Sequence, residues 1–343
     1  MFSAVLGLFS QDVAVDLGTA RTRVHQRGIG LVCDQATLLS VQTDVRGRRS
    51  VVAIGDDALP MLGRTPQDHE VVAPIAGGRI TDFEACEALL LQLIREIHGR
   101  NRWMRPRMVV AVPHGATPME TRAIRDSCES AGAREVQLVP RPVAAAVGAE
   151  LPVECAAGHL VVDIGAGITE VSVVALHGVV SGCVVPGGSG GLDASLAKWL
   201  GRERALLVGS ETARRLKETL GSADVEAEPA TGEARGRCLR AGVPRSVAIT
   251  RREIAQALTP GITPIADAIR RTLEQAPPEL ASDIVDNGVV LVGGGAVLDG
   301  LDRTLSHATG LAVVVADDPA LAVARGVGRM LDEPDLLAQV ATA

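Results

Sequence analysis

Aromatic residues are scarce in this sequence, with three Phe, two Trp and no Tyr among 343 residues. Lysine is also rare, since only Lys198 and Lys217 occur and arginine supplies the other cationic side chains. Acidic residues outnumber basic ones, and the formal net charge is −7. A chain with this charge has no overall attraction to a phosphate backbone, so we expect no nucleic-acid partner.

Cysteine motifs and long apolar runs are both missing. None of the six cysteines has CxxC or Cys/His metal spacing, so we expect buried, reduced thiols in a cytosolic protein. No apolar run approaches the roughly 20 residues that cross a bilayer. The N-terminus lacks the charged start and the cleavage site of a signal peptide. A chain of 343 residues with 47% hydrophobic composition is long enough for two lobes with substantial cores.

One pattern occurs twice in the chain. Residues 13–22 read VAVDLGTART and residues 160–169 read LVVDIGAGIT, and a second strand-like run follows each copy. Each copy predicts a strand, a glycine-containing turn and a returning strand. The turns offer N–H groups and a Thr hydroxyl to phosphate oxygens, while Asp16 and Asp163 at the strand ends suit a hydrated hard cation. The repeat therefore predicts duplicated lobes that face each other across a nucleotide.

A third stretch, VVLVGGGAVLDGL at residues 289–301, predicts a strand, three glycines and the start of a helix. The glycines are placed where a backbone must approach a flat or charged ligand closely. The stretch is neither GxGxxG nor GxxxxGK(S/T), so the Rossmann and P-loop interpretations fail at the level of the motif.

The three stretches, in this order, resemble the superfamily of actin, sugar kinases and heat-shock chaperone ATPases. The segments RTPQDHEVVAPIAGGRITDFEACEALL, WMRPR, VPHGATPMETRAIRDSCESAGAREVQLV, PPELASDI and AVARGVG are similar to the MreB family of bacterial actins, and the resemblance covers nearly the whole chain. It implies an α/β chain with an actin-like, ribonuclease-H-like fold of two duplicated lobes, each with an inserted subdomain.

The resemblance also implies a domain division. Lobe I is expected at residues 1–152 and 320–343 with an insertion at about 31–78, and lobe II at 153–319 with an insertion at about 193–249. The segments PVAAAVGAEL and AVARGVGRM are rich in small residues that let two helices pass closely, and they resemble the hinge pair of actin folds.

The expected ligand is ATP or ADP with Mg²⁺ held through water by Asp16 and Asp163. The nucleotide-binding residues that the resemblance implies are Asp16, Gly18, Thr19, Ala20, Arg21, Asp163, Gly165, Ala166, Gly167, Arg214, Lys217, Gly293, Gly294, Gly295 and Ala296. Lys217 has an alternative interpretation as a solvated lysine on a helix surface.

Four positions depart from the family pattern, and all of them fall near the expected ligand. Arg141 stands where the family has the Glu that positions the attacking water, and a guanidinium cannot accept a proton from water. Ile168 replaces a Thr, Gly190 replaces an Asp, and Arg214 replaces a Glu. We therefore expect bound nucleotide with weak or absent hydrolysis.

Two apolar segments contain most of the aromatic residues. The N-terminal Phe2, Val5, Leu6 and Phe9 would share one face of a helix, and Trp103 and Met104 lie between arginines. Both segments resemble membrane contacts of the MreB family, at the inner leaflet of the cytoplasmic membrane. The alternative is that each segment packs on its own lobe.

Three classes of function follow from this reasoning. The first is a filament-forming protein of the rod-shape or cell-wall system, which binds ATP, associates with itself into protofilaments and contacts cell-wall synthesis and rod-complex membrane proteins. The second is an active ATPase of the same superfamily. The third is a regulatory pseudo-ATPase that co-assembles with a catalytically normal MreB paralogue.

Overall fold

A computed structural model describes residues 12–98 and 105–341 of the chain. The chain divides into two compact units, of which unit 1 comprises Met1–Glu154 with Leu321–Ala343 and unit 2 comprises Cys155–Ala320. The strands are β1 (Val13–Leu17), β2 (Arg21–Gln26), β3 (Gly30–Ala36), β4 (Leu39–Thr43), β5 (Arg49–Ile54), β6 (His69–Val72), β7 (Ile75–Ala76), β8 (Arg79–Ile80), β9 (Arg107–Val112), β10 (Glu135–Pro140), β11 (His159–Ile164), β12 (Ile168–Ala175), β13 (Gly178–Pro186), β14 (Leu206–Leu207), β15 (Thr231–Cys238), β16 (Pro244–Thr250), β17 (Val289–Val292) and β18 (Val313–Val315). The helices are α1 (Phe83–His98), α2 (Pro118–Ser130), α3 (Arg141–Gly148), α4 (Gly188–Arg204), α5 (Ser210–Leu220), α6 (Arg251–Gln275), α7 (Pro278–Asn287), α8 (Leu301–Thr309), α9 (Ala322–Asp332) and α10 (Pro334–Val340).

Unit 1 is built on a five-stranded sheet in the order β10-β9-β1-β2-β3. The first hairpin predicted from the sequence is confirmed, because β1 pairs antiparallel with β2, and β3 continues the meander. Strands β9 and β10 run parallel to β1. All five residues of β1 are buried, as expected for a strand in the centre of a sheet that is covered on both faces.

Unit 2 repeats this topology. Its five-stranded sheet has the order β13-β12-β11-β17-β18, in which β11, β12 and β13 form an antiparallel meander and β17 and β18 run parallel to β11. Strand β11 therefore has the place in unit 2 that β1 has in unit 1. The second predicted hairpin is confirmed by the pairing of β11 with β12, and its core continues into α4, α5 and α6.

Smaller sheets lie beside the two large ones. Strands β5, β4 and β6 form one sheet, β7 and β8 form a second, and β14, β15 and β16 form a third. Residues 31–34, at the start of the segment for which the sequence predicts an inserted subdomain, form part of β3, whose backbone pairs with β2 in the large sheet. Two short 3-10 turns, Gly55–Asp57 and Leu59–Met61, follow β5.

Helices α3 and α9 pack against each other within unit 1. Every residue of α3 after Arg141 is buried, and α9 also packs on β1 and β2. The small residues seen in the sequence make this packing possible, since Gly148 and Gly326 lie against the opposite backbone. Within residues 12–98 and 105–341, no helix has the length and apolar composition needed to span a membrane.

Candidate functional site

The parallel strands of unit 1 bring two predicted site residues to one edge of the sheet. Asp16 is the penultimate residue of β1, and Arg141 follows directly after β10 as the first residue of α3. Because β1, β9 and β10 run in the same direction, their carboxyl ends share an edge, where ligands bind in open α/β sheets.

Asp16 and Arg141 form a buried ion pair. Nη1 of Arg141 donates a hydrogen bond to Oδ1 of Asp16 at 2.8 Å, and the two side chains are 14% and 2% exposed. Arg23 lies directly opposite Asp16 in the hairpin, with its Nη1 atom 3.9 Å from Oδ2. The carboxylate also neutralises Arg141 at the positive end of the α3 dipole. One buried carboxylate thus faces two guanidinium groups.

The turn between β1 and β2 is closed by its own backbone. The N–H of Gly18 donates to the carbonyl of Arg21 at 3.1 Å, and the hydroxyl of Thr37 donates to the carbonyl of Gly18 at 2.8 Å. A Cβ atom at position 18 would lie 2.6 Å from the Arg21 carbonyl oxygen, so the turn requires glycine. Ala20 is held by a hydrogen bond from the N–H of Thr37 to its carbonyl.

The side chains of this turn are engaged with their surroundings. The hydroxyl of Thr19 accepts a hydrogen bond from the N–H of Gly78 at 3.2 Å. Arg21 forms ion pairs with Asp34 and Asp56. Burial alone would lower the pKa of Arg21, but the hydrogen bonds to these two carboxylates outweigh it and raise the pKa. The guanidinium of Arg21 therefore binds one carboxylate on β3 and one on the 3-10 turn that follows β5.

The second hairpin has a different charge at the corresponding place. Asp163 is the penultimate residue of β11, and the residue directly opposite it in β12 is Glu170. The two residues are 3% and 1% exposed. Where the first hairpin places an Arg opposite an Asp, the second places a buried Glu opposite a buried Asp.

The turn of the second hairpin is joined to the start of α4. The carbonyl groups of Gly165, Ala166 and Gly167 accept hydrogen bonds from the N–H groups of Ser189, Gly190 and Gly187 at 2.8, 2.9 and 2.9 Å. A Cβ atom at position 190 would lie 2.9 Å from the Ala166 carbonyl oxygen. The absence of a side chain at Gly190 therefore permits this close backbone contact. It also means that position 190 offers no carboxylate.

The glycine stretch after β17 packs on the end of β11. Gly293 has a φ of +83°, and a Cβ atom there would lie 2.4 Å from Oδ1 of Asp163. A Cβ atom at Gly295 would lie 2.3 Å from Cγ2 of Ile164, and Ala296 is buried. These residues form a 3-10 turn at Gly294–Val297, and the helix expected here begins only at Leu301. Unit 2 thus brings Asp163 and the glycine stretch together.

Lys217 is buried and paired. Its Nζ atom lies 2.7 Å from Oδ1 of Asp193 and donates hydrogen bonds to the carbonyl and hydroxyl oxygens of Ser189, both at 2.9 Å. Burial raises the pKa of Asp193, and the hydrogen bond and charge of Lys217 oppose this rise. Lys217 also borders a cavity of about 260 Å³ whose lining includes Ser189, Leu192, Gly221, Gly294 and Gly295.

The remaining predicted positions have simpler surroundings. Arg214 donates a hydrogen bond to Glu211 at 2.7 Å on the surface of α5, and this bond raises the pKa of Arg214. Ile168 begins β12 opposite Pro186 of β13. The predicted membrane residues Phe2, Val5, Leu6, Phe9, Trp103 and Met104 lie outside the described residues.

A divalent cation that binds Asp16 directly would have to compete with two guanidinium groups. One oxygen of the Asp16 carboxylate already accepts a hydrogen bond from Arg141, and a second guanidinium, that of Arg23, lies beside the other oxygen. In unit 2, the carboxylates of Asp163 and Glu170 have the chemistry of hard-cation ligands. Within residues 12–98 and 105–341, no cluster of three or more His, Cys, Asp or Glu side chains is placed to hold a metal ion.

Sequence reasoning missed the partners of the predicted residues. Arg23 and Glu170 stand opposite Asp16 and Asp163, and their place follows from hairpin register once the turn length is known. Ser189 and Asp193 lie close in sequence to Gly190, one of the four positions that depart from the family pattern, but their pairing with Lys217 requires the fold.

The chain is similar to proteins of one family. It matches the MreB/Mbl protein family over residues 10–339. It is 45% identical over 339 residues to the cell shape-determining protein MreB of Escherichia coli, covering 98% of this chain and 97% of that protein. It is 34% identical over 330 residues to the cell shape-determining protein Mbl of Bacillus subtilis, covering 96% and 98%. The crystal structure of MreB5 of Spiroplasma citri bound to AMPPNP is similar with a TM-score of 0.89 and 28% identity, covering 96% of this chain and 97% of that one. The actin-like α/β fold predicted from the sequence is thereby confirmed.

Proposed function

The chain belongs to the MreB/Mbl family, and from this premise we propose that it binds ATP or ADP, assembles into filaments and takes part in cell-shape determination and cell-wall morphogenesis. The relative from Escherichia coli is a cell shape-determining protein, and the similar MreB5 structure holds AMPPNP. The comparisons cover nearly the full length of the chain, so the proposal concerns both units of the chain.

One observation in unit 2 carries the nucleotide part of the proposal. The glycine stretch is packed beside Asp163 and borders the cavity that Ser189 and Lys217 also line. Backbone glycines beside a partly apolar cavity suit the flat base and the sugar of a nucleotide.

Thermal unfolding with and without ATP or ADP tests this part. A ligand that binds only the folded protein adds about 2.7 kcal/mol at a concentration of 100 times Kd. Gly294→Leu should abolish the shift, because position 294 borders the cavity and a Cβ atom there meets no neighbour within 4 Å. Gly209→Leu is the matched control, since its Cβ atom also meets no neighbour within 4 Å. An unmoved transition in the parent protein would reject nucleotide binding.

We further propose that hydrolysis is weak or absent. Arg141 holds the position at which the family has a water-positioning Glu, and its guanidinium is bonded to Asp16. An arginine side chain has donors only and cannot take a proton from water. Phosphate release should stay at background in the parent protein and rise in Arg141→Glu. Steady-state hydrolysis by the parent protein, at the rate of an active family member, would favour the active ATPase instead.

The same ion pair favours a second candidate function, a regulatory pseudo-ATPase that co-assembles with a normal MreB paralogue. Pelleting distinguishes the two candidates. A self-assembling protein should pellet alone in a concentration-dependent way with ATP, whereas a co-assembling one should pellet only when the paralogue is present.

The site of action that we propose is the cytoplasmic face of the cytoplasmic membrane, together with cell-wall synthesis or rod-complex membrane proteins. The support is the apolar character of Phe2, Val5, Leu6 and Phe9 and of Trp103 and Met104 in the sequence. Apolar and aromatic side chains flanked by arginine suit the headgroup region of an anionic leaflet.

A further inference from the structure

The ammonium group of Lys217 is surrounded by oxygen atoms of α4. An ammonium group has three N–H donors and no acceptor. Three oxygen atoms lie within 2.9 Å of Nζ, namely Oδ1 of Asp193 and the carbonyl and hydroxyl oxygens of Ser189. The side chain of Lys217 borders the cavity of unit 2, but a hydrogen bond from its ammonium group to a base or a sugar would have to displace one of these oxygens.

The charge of Lys217 lies close to the N-terminus of α4. A cation is unfavourable there, because the helix dipole places positive partial charge at that end. Lys217 nevertheless donates to the carbonyl of Ser189, the second residue of the helix, and the carboxylate of Asp193 offsets its charge. These contacts therefore join the last turn of α5, which holds Lys217, to the start of α4.

The start of α4 holds the turn of the second hairpin from its carbonyl side. The N–H of Ser189 donates to the carbonyl of Gly165 at 2.8 Å. The N–H of Gly190 donates to the carbonyl of Ala166 at 2.9 Å. The C=O and N–H groups of a trans peptide point in opposite directions, and no described peptide bond is cis. The N–H groups of Ala166 and Gly167 therefore point away from α4, and neighbouring N–H groups on one side of a turn suit an anion such as phosphate.

We propose that Lys217 is a positioning residue for the phosphates of the nucleotide, which fixes the turn at residues 165–167 through Ser189 and does not itself bind the base or the sugar. This inference rests on the proposed nucleotide binding and assigns Lys217 to the phosphate end of the ligand. Ser189 accepts two hydrogen bonds from Lys217 and donates one to Gly165, so Lys217 lies two hydrogen bonds from the turn. The loss of one hydrogen bond to a charged group lowers affinity about tenfold.

The test compares ADP with adenosine, which have the same base and sugar and differ in the phosphates. Lys217→Met should weaken ADP binding at least about tenfold and adenosine binding by less than about threefold, as measured by ligand-observed NMR. Equal weakening of the two ligands would indicate a direct contact with the base or sugar, or a general loss of structure, and would overturn the inference. Absence of ADP binding by the parent protein would overturn the proposed nucleotide binding itself.

Asp193→Asn provides a second test, which uses ADP alone and decides the matter where adenosine binds too weakly to measure. Among the described residues, the lining of the cavity includes Ser189 and Lys217 but not Asp193. Asparagine has nearly the same shape as aspartate but lacks the charge that holds Lys217, so this variant should weaken ADP binding by about threefold or more. Unchanged ADP affinity in this variant would contradict the proposal.

The double variant, Lys217→Met with Asp193→Asn, addresses the folding of the single one. It leaves no buried charge without a partner, so it should fold even where Lys217→Met folds poorly. Its ADP affinity should equal that of Lys217→Met, because both changes act through one contact and their effects are not additive. Losses that multiply in the double variant would show that Asp193 and Lys217 act separately, and the proposal would fail.

Lys198→Met is the matched control for charge. Lys198 is the other lysine of the chain and is exposed on α4, so this variant should leave both affinities within about twofold of the parent protein. If Lys198→Met weakened ADP binding as much as Lys217→Met does, overall charge rather than the contact with Ser189 would be responsible, and the inference would be wrong.

Discussion

Gly148 of α3 and Gly326 of α9 face each other across a backbone contact. A Cβ atom on Gly148 would lie 1.7 Å from the carbonyl oxygen of Ala322, and one on Gly326 would lie 1.8 Å from that of Ala144. No side chain can occupy either position unless the helices move apart. The two helices can approach this closely because Gly148 and Gly326 have only a hydrogen atom where other residues carry a side chain.

Alanine at either position should destabilise unit 1. We expect Gly148→Ala or Gly326→Ala to lower the free energy of unfolding by about 1–3 kcal/mol or more, because an added methyl group overpacks a closed contact. Gly201→Ala is the matched control: it also lies in a helix, and its Cβ atom would meet only Leu239 at 3.9 Å. That change should be neutral or stabilise by up to about 1 kcal/mol. Urea unfolding measures both, and equal effects of the two kinds of variant would refute the steric explanation.

The buried pair at Asp16 should matter more for stability than an exposed one. Arg141→Gln should cost about 3–5 kcal/mol, since it leaves a buried carboxylate with only the more distant Arg23. Arg134→Gln should cost less than about 1 kcal/mol, because Arg134 is 42% exposed and Asp12 keeps Arg27 and Arg107 nearby. Urea midpoints of the two variants provide the comparison. A smaller loss for Arg141→Gln would show that the Asp16 pair does not stabilise unit 1.

Removal of Lys217 should destabilise the protein in a pH-dependent way. Lys217 opposes the rise in the pKa of Asp193 that burial causes, so Lys217→Met should raise that folded-state pKa further above its unfolded value of about 3.9. A carboxyl group with a raised pKa favours the folded state below the unfolded pKa, and this contribution is lost as pH rises through the folded pKa.

The cost of Lys217→Met should therefore be about 3–5 kcal/mol near pH 7.5 and clearly smaller near pH 4.5. Urea unfolding at the two pH values measures it. The other lysine, Lys198, is exposed on α4, and Lys198→Met should change stability by less than about 0.5 kcal/mol at both. A cost for Lys217→Met that stays constant with pH would mean that Asp193 is not the group responsible.

Membrane binding should depend on the two apolar segments. One apolar side chain contributes roughly 1.5–3 kcal/mol when fully buried, and a filament would present many copies side by side. Co-sedimentation with anionic liposomes should fall on deletion of residues 1–9 or on Trp103→Ser, and fall further with both changes. Phe83→Ser is the control, because Phe83 is 54% exposed and lies outside both segments. Unchanged co-sedimentation of the double variant would show that these segments do not bind lipid.

The repeated hairpins could be predicted from the sequence because their signal is local. An apolar run, an Asp and a glycine turn occur within ten residues, and both copies form the expected strands. The side-chain contacts around the hairpins could not be predicted in the same way. Arg141 was identified as an unusual residue, but its partner Asp16 is 125 positions away in sequence, and only the parallel pairing of β1, β9 and β10 brings them together.

Lys217 shows a second limit of sequence reasoning. Its helix position allowed either a solvated lysine or a ligand contact, and the structure adds a buried ion pair with Asp193. The hydrophobic pattern of a helix predicts which of its faces is buried. It does not identify the charged partner of a buried lysine, because that partner lies on a different element, here α4. The same holds for the glycine stretch, where packing on β11 favours a 3-10 turn over the helix start expected from its apolar residues.

The packing of α9 also bears on the order in which the chain can fold during synthesis. Unit 2 is continuous in sequence, from Cys155 to Ala320, whereas unit 1 needs α9, which follows unit 2, to cover β1, β2 and α3. Domains fold as units while the ribosome is still adding residues. The first 154 residues therefore emerge first but cannot complete the packing of unit 1 until Leu321 and the residues after it have left the ribosome.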